Sequence, residues 1–289
     1  MRYVVTVLVL MVAIGVPAAW AQDEPETVDL SKVEKKIALF NGKDFEGWTF
    51  YLNDENAKWR DTWSVKDGVV HCKGTPAGYM RTKKYYTNYR LTFQWRWTEK
   101  AGNSGLLMHV SGEDKIWPKA IEGQLMSENA ADFWVIGGTD FKEHVNKEER
   151  RVPKMHPHNE KPIGEWNSYE AVCDGNTIRL TINGKLQNVA TETTVSKGFI
   201  GLQSEGAPIE FRNIVLTPVK ADEFDVAQAK KVFLKACGTC HSASRVEEHK
   251  GDKKPWEKVV AAMRAKGAQV DDDQAATIIA FLNEVYPKE

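Results

Sequence analysis

The chain has little cysteine, no long apolar run beyond its first residues, and almost no net charge. Four cysteines in 289 residues are too few for a disulfide scaffold. After the N-terminal run, no segment approaches the roughly 18 to 20 apolar residues that a membrane helix needs, so we expect no transmembrane anchor. A formal net charge of -1, with no long basic block, argues against a nucleic-acid partner.

The N-terminus has the features of a secretory signal. Arg2 precedes an apolar run that ends before Pro17, and a small-residue cleavage pattern ends at Ala21. We therefore expect residues 1–21 to be a signal peptide and the mature protein to be periplasmic or secreted. Residues 22–36 are charged and lack apolar periodicity, which predicts a flexible leader.

The segment from 37 to 219 has a β pattern. The stretch YRLTFQWRWT alternates strictly between polar residues and the apolar residues Leu91, Phe93, Trp95 and Trp97. Further strands are predicted at TWSV, GVVHC, GLLMHV, AIEGQLM, SYEAVC, TIRLTI, GFIGLQ and IEFRNIVL. Many short strands separated by Gly and Asn turns predict a mainly β, two-sheet antiparallel sandwich of the jelly-roll type. The charged segment 137–164 interrupts this pattern and is predicted to be a long loop over the sandwich face.

The pattern becomes helical after Pro218. Asp225 is a candidate cap for a first helix, Pro255 starts a second, and the run Asp271 to Asp273 caps a third. Three helices in residues 224–289 form a small unit, in which a core alone is marginal and a stabilising cofactor is expected.

That unit contains the sequence CGTCH. Cys237, Cys240 and His241 match the C-x-x-C-H pattern of covalent haem c attachment, in which the thiols form thioethers and the histidine ligates iron. A redox dithiol or half of a zinc site is the alternative. Met263 is the candidate second axial ligand and His249 its competitor. From Phe224 to Tyr286 this region resembles small class I cytochrome c domains of multidomain exported bacterial proteins, although it lacks the common Met-Pro pair.

Polar residues on the predicted strands suggest a site in the sandwich. Glu122 and Gln124 are two residues apart and therefore share one strand face, where they can bind sugar hydroxyls or supply a base. A solvated outer face is the alternative. Glycoside hydrolysis by two carboxylates needs a second acid near Glu122. The candidates are Glu128, Asp132, Glu170, Glu205 and Glu210.

Other candidates have plainer alternatives. His109 shares a predicted face with Leu107 and is a possible carbonyl polariser or metal ligand, yet a lone strand histidine is more often structural. Asn103 lies in a turn that can present polar groups at a sheet rim. The tryptophans considered as sugar-stacking platforms or as core are Trp117, Trp134 and Trp166. His156 and His158 either lie in a solvated loop or help to bind a metal. Cys72 and Cys173 are either separate buried thiols or a disulfide.

Six stretches taken in order, LFNGKDFEGW, AGNSGLLMHV, WPKAIEGQLM, GEWNSYEAVC, INGK and GLQSEGAPIEFRNI, resemble the 3-keto-disaccharide hydrolase family. The resemblance implies a concanavalin-like jelly roll over 37–219 that cleaves glycosides oxidised to a ketone at C3. Such a ketone acidifies the C2 proton, so one base can start an elimination that expels the C1 substituent before hydration. The resemblance makes Glu122 the candidate base, Gln124 and Asn103 positioning groups, and His109 a polariser or ligand of a divalent metal.

Together the two halves predict an exported enzyme for oxidised sugars joined to an electron carrier. Oxidation at C3 releases electrons, which the haem unit is suited to take from a redox partner such as a sugar dehydrogenase. A carbohydrate-binding jelly roll without activity that carries a cytochrome is the first alternative. The second is an interaction module for a respiratory enzyme.

Overall fold

The computed structural model of the protein describes residues 25–219, 226–238, 242, 245–248 and 255–286. The predicted signal peptide lies outside the described residues, as do Cys240, His241 and His249 of the predicted haem site.

The described residues form seventeen strands. In chain order they are β1 (Thr27–Asp29), β2 (Ile37–Ala38), β3 (Trp48–Leu52), β4 (Trp63–Lys66), β5 (Val69–Cys72), β6 (Gly78–Thr82), β7 (Tyr85–Thr87), β8 (Tyr89–Trp97), β9 (Gly105–Ser111), β10 (Lys119–Gln124), β11 (Phe133–Ile136), β12 (Arg151–Val152), β13 (Asn167–Asp174), β14 (Thr177–Ile182), β15 (Lys185–Ala190), β16 (Phe199–Ser204) and β17 (Ile209–Pro218). One sheet has seven strands in the order β12-β11-β10-β9-β16-β6-β3, and the other has eight, β15-β14-β13-β8-β17-β5-β4 with β2 beside β17. All pairs within these two sheets are antiparallel, and the predicted sandwich is confirmed.

The core lies between the two sheets because alternate residues of each strand point inward. On β8 every second residue from Tyr89 to Trp97 is buried, while the residues between them are partly exposed. Ile121 of β10 and Leu125 just after it join the same apolar core, which leaves Glu122 and Gln124 on the outer face of the seven-stranded sheet. The alternation read from the sequence therefore places both side chains correctly.

The segment 22–36, predicted to be a flexible leader, contains regular structure at residues 27–32. Strand β1 pairs in parallel with β7, and a 3-10 turn follows at Leu30–Lys32. Leu30 is fully buried in the core of the sandwich. Backbone pairing and one buried apolar side chain hold this charged segment in place. Neither feature produces a periodic pattern in the sequence.

The segment 137–164 is irregular as predicted, except that Arg151 and Val152 form β12 at the edge of the seven-stranded sheet. Cys72 and Cys173 are separate buried thiols, not a disulfide.

The described helices are α1 (Trp59–Thr62), α2 (Val226–Cys237), α3 (Arg245–Glu248), α4 (Trp256–Ala265) and α5 (Asp272–Val285). Asp271 caps α5, where its side chain accepts a hydrogen bond from the backbone N–H of Gln274. The three predicted C-terminal helices are thus present. None of the helices in the described ranges is long and apolar enough to cross a membrane.

The C-terminal helices pack against the sandwich at β15, the edge strand of the eight-stranded sheet. Leu186 and Val189 of β15 belong to the apolar cluster formed by α2, α4 and α5. At the same interface, Lys230 of α2 forms a 3.2 Å ion pair with Glu143 in the irregular segment.

Candidate active site

Strands β10 and β16, with β9 between them, bring polar residues together on the outer face of the seven-stranded sheet. Strand β10 supplies Glu122 and Gln124, and Gly105 of β9 lies directly opposite Gln124. Strand β16 supplies Gln203, with Glu205 two residues further along the chain. Residues two apart share a face, so these side chains converge. The antiparallel register between distant segments of the chain builds the cluster.

Gly105 makes room for the central carboxyl group. A Cβ atom at this position would overlap both Glu122 Oε1 and Gln203 Oε1. The side chain of Glu122 therefore lies over the backbone of β9, in the space that any other residue at position 105 would fill.

The cluster lies in a pocket of about 140 Å³. The pocket is lined by Asn103, Trp117, Glu122, Gln124, Trp134, Ile136, Arg150 and Glu205. Trp117 is 40% exposed on the loop between β9 and β10, and Trp134 lies opposite Glu122 on β11. The guanidinium of Arg150 lies 5.4 Å from the Trp134 ring centroid. Two aromatic side chains and several hydrogen-bonding groups suit a sugar ring, which has apolar faces and polar edges.

Two amide side chains have fixed orientations in this pocket. The Oε1 atom of Gln124 accepts hydrogen bonds from the backbone N–H groups of Leu125 and Met126, at 2.9 and 3.0 Å. Its NH₂ group is therefore the part left to donate to a ligand. Asn103 forms a backbone bridge with Glu205 and a side-chain hydrogen bond to its carboxyl group.

Glu122 is a buried carboxyl group with an unsatisfied oxygen atom. It is 4% exposed, and its Oε1 has no hydrogen-bond partner among the described residues. Burial, and then the negative charge of Glu205, raise the pKa of Glu122 to about 8, while the Arg150 guanidinium opposes the shift. A strongly shifted carboxyl in a pocket is characteristic of proton-transfer sites.

Gln203 and Trp134 are further buried groups without partners. Neither side-chain atom of Gln203, which is 2% exposed, has a hydrogen-bond partner in the described part of the chain. The same is true of Trp134 Nε1. Buried polar atoms are normally paired, so such a concentration around one pocket indicates a place for a ligand or ordered water.

His109 does not belong to this pocket, and its predicted placement beside Leu107 is wrong. The register of β9 with both neighbouring strands shifts near this residue, and His109 has a positive φ of 56°. The bulge turns the fully buried ring into the core, 5.9 Å from the Tyr89 ring. Burial lowers the pKa of His109 to about 4, which keeps it neutral as a packing residue.

Trp166 also lies elsewhere, which corrects its placement as a substrate-binding residue. It directly precedes β13 of the eight-stranded sheet. The Arg96 and Arg212 guanidinium groups lie 4.6 and 4.0 Å from its ring centroid. Through these stacking contacts, Trp166 forms part of the surface of the eight-stranded sheet.

Of the candidate second carboxyl groups, Glu205 alone lines the pocket. Asp132 is buried in ion pairs with Arg151 and Lys154. Glu170 forms an ion pair with Arg90, and Glu210 pairs with Arg96 and His71. Glu205 was one of five carboxyl candidates in the sequence, whereas Gln203 and Arg150 were not selected, although Gln203 and Glu205 show the same spacing as Glu122 and Gln124.

The described residues contain no grouping of three or more His, Cys, Asp and Glu side chains that suits a metal ion. A divalent metal in the sandwich therefore stays a prediction, and the chemistry below does not use one.

A larger groove of about 750 Å³ lies between the sheets at β3 and β4, remote from Glu122. Phe50 stacks on Trp59 at 4.2 Å between ring centroids, and the Arg60 guanidinium lies over the same ring system at 4.1 Å. Since these contacts already use the aromatic surface, we place the chemistry in the smaller pocket, which contains the shifted carboxyl group.

Comparison with known proteins identifies the sandwich. The family model of the 3-keto-alpha-glucoside-1,2-lyase-like domain matches residues 35–217. The chain belongs to this family. The predicted resemblance to a family acting on 3-keto sugars is thereby confirmed, and we class the sandwich as a carbohydrate-active, glycoside-cleaving enzyme.

Among individual relatives, a Bacteroides thetaiotaomicron protein named 3-keto-disaccharide hydrolase is 25% identical over 230 residues, covering 62% of this chain and 76% of that protein. A Parabacteroides distasonis crystal structure, provisionally named a glycosyl hydrolase, is 23% identical, with a TM-score of 0.49 and coverage of 66% of this chain and 96% of that one. A Bacillus licheniformis beta-glucanase is 14% identical, with a TM-score of 0.43 and coverage of 64% and 98%. The family assignment rests on the family model and not on these structural similarities.

Proposed function

We propose that the sandwich cleaves glycosides whose sugar ring carries a ketone at C3, and that Glu122 transfers a proton in this reaction. The supporting observation is the buried carboxyl group of Glu122, whose Oε1 has no hydrogen-bond partner among the described residues, in a small pocket lined by amides and tryptophans. A C3 ketone makes the neighbouring C2 proton acidic, so cleavage requires proton transfer and no strong nucleophile. A carboxyl group whose pKa lies near the working pH is suited to this task.

The other pocket residues would position the sugar. The Gln124 NH₂ group and Asn103 would bind ring hydroxyl or carbonyl oxygens, while Trp117 and Trp134 would contact the apolar faces of the sugar. The small pocket suits the oxidised terminal ring and leaves the departing group at the rim, beside the exposed side of Trp117.

The helical unit is proposed to carry haem c: Cys237 and Cys240 would hold it through thioether bonds, and His241 and Met263 would ligate its iron. Cys237 is partly buried where α2 ends, against the apolar cluster of the helices. Met263 is partly exposed on α4 and is not among the described residues of that cluster. Haem supplies one-electron transfer, so an exported sugar dehydrogenase is the proposed partner.

The test of the glycosidase activity is release of the departing alcohol from methyl 3-keto-glucoside by the haem-loaded mature protein, with and without chelator. We expect turnover by the wild type and a loss of about 100-fold or more in Glu122→Gln. The exposed Glu99→Gln variant is the matched control and should keep full activity. Sugar binding without turnover by the wild type would replace this proposal with the carbohydrate-binding alternative. Sensitivity to the chelator would support a metal.

A further inference from the structure

The pocket contains a second carboxyl group, that of Glu205, which is also held in a defined position. Glu205 follows β16 directly, two residues after Gln203, and lines the same pocket. Its backbone forms an antiparallel bridge with Asn103, and the Asn103 side chain hydrogen-bonds its carboxyl group. Glu205 is therefore held at the rim of the pocket by the segment that leads into β9.

The two carboxyl groups differ in environment. Glu122 is almost fully buried over Gly105, whereas Glu205 is partly exposed and accepts a hydrogen bond from Asn103. Two charged groups act on Glu122 from the surrounding elements, and a third titratable side chain, Tyr169, lies on the core side. Glu205 repels its negative form, Arg150 before β12 favours that form, and Tyr169 of β13 lies behind Gly123.

Electrostatics then distributes the protons. Burial raises the pKa of Glu205 as well, but the hydrogen bond from Asn103 opposes this shift, while the charge of Glu205 adds to the burial of Glu122. When two neighbouring carboxyl groups share a site, the better solvated one ionises first and the buried one retains its proton. Glu205 is therefore the group that ionises first, and Glu122 keeps its proton to higher pH.

We propose that Glu205 is the base that removes the C2 proton and that Glu122 is the acid that protonates the departing oxygen. This assignment rests on the proposed 3-keto-glycosidase function and reverses the sequence-based hypothesis that Glu122 is the base. In the first step the C2–H bond breaks, its proton moves to Glu205, the C1=C2 double bond forms, and the C1–O bond breaks as that oxygen takes the proton of Glu122. In the second step water adds across the double bond.

The second step restores both groups. Ionised Glu122 takes a proton from water as its oxygen bonds to C1, and protonated Glu205 returns a proton to C2. The overall reaction is hydrolysis, without net oxidation or reduction, and both carboxyl groups return to their starting states.

The two roles are separable by experiment. Exchange of the C2 proton of a 3-keto-glucoside in D₂O requires the base only, and cleavage of a p-nitrophenyl glycoside requires little acid assistance because the phenolate leaves unaided. We expect Glu205→Gln to lose both C2 exchange and cleavage of methyl and p-nitrophenyl 3-keto-glucosides by about 100-fold or more. Glu122→Gln should retain C2 exchange and cleave the p-nitrophenyl substrate within about tenfold of wild type, yet lose cleavage of the methyl glycoside by about 100-fold or more.

The opposite pattern, in which Glu122→Gln loses exchange and Glu205→Gln retains it, would return the base to Glu122 and overturn the assignment. Equal loss of every activity in both variants would overturn the division of roles. If Glu205→Gln does not fold, Glu205→Ala with added formate provides a second test, because restored C2 exchange supports the assignment and absence of rescue in a folded variant contradicts it. A wild type that neither exchanges nor cleaves these substrates would instead refute the proposed function itself.

Discussion

Neutralising Glu122 should make the sandwich more stable at neutral and alkaline pH. Its pKa is about 8 in the folded protein against an ordinary value of 4.5, so between these values the folded state binds more protons than the unfolded state. The free energy of unfolding must then fall as pH rises through this window, with no further change below about 4.5 or above about 8. A full shift of this size corresponds to an upper limit of about 5 kcal/mol. Between about pH 5.5 and 7.5 the slope of about 1.4 kcal/mol per pH unit gives about 3 kcal/mol.

The measurement is urea unfolding of wild type, Glu122→Gln and the exposed control Glu99→Gln, followed by tryptophan fluorescence, since most of the ten tryptophans lie in the sandwich. The difference in stability between wild type and Glu122→Gln should widen with pH by roughly the stated amount, with the variant more stable. Glu99→Gln should follow the wild type throughout. Parallel curves for wild type and Glu122→Gln, within about 0.5 kcal/mol over this range, would show that Glu122 does not retain its proton on folding.

Three other substitutions test separate parts of the structure. Gly105→Ala should lower kcat by about 100-fold or more in the methyl 3-keto-glucoside assay because its Cβ would displace the Glu122 carboxyl group; unchanged kcat would contradict the packing described here. Trp117→Ala should raise KM by about tenfold, whereas Trp166→Ala on the opposite sheet should leave KM unchanged, and equal effects would refute this placement of the substrate. Cys237→Ser should remove one thioether bond, which mass spectrometry and the pyridine haemochrome spectrum detect, without reducing glycoside cleavage; an unaltered haemochrome spectrum would refute the haem assignment.

The sequence allowed the sandwich and half of the pocket to be predicted. Period-two alternation placed Glu122 and Gln124 on one face because β10 is regular, and it failed for His109 because a bulge breaks that regularity in β9. A bulge is stabilised by contacts with neighbouring strands, so its position is not visible in a local pattern.

Local sequence patterns do not predict which residues meet across a sheet. Glu205 meets Asn103 only because β16 pairs with β9 across about ninety residues of chain, and no spacing rule specifies this register. The misplacement of Trp166 has the same origin, since the sequence indicates a strand but not the sheet to which it belongs. A search for other strand ends with polar residues at i and i+2 would have singled out Glu205 from the other carboxyl candidates and added Gln203.

The docking of the helical unit on β15 has a consequence for how this protein can be divided. A free edge strand offers unpaired backbone groups for association with other chains, and natural sheets protect such edges. Here Leu186 and Val189 project from the last strand of the eight-stranded sheet into the helical cluster, and both are buried there. Cutting the chain after Pro218 would expose an apolar, unpaired edge. The helices therefore cover this edge. We expect the sandwich to be poorly soluble when it is expressed without them, whether or not the helical unit transfers electrons.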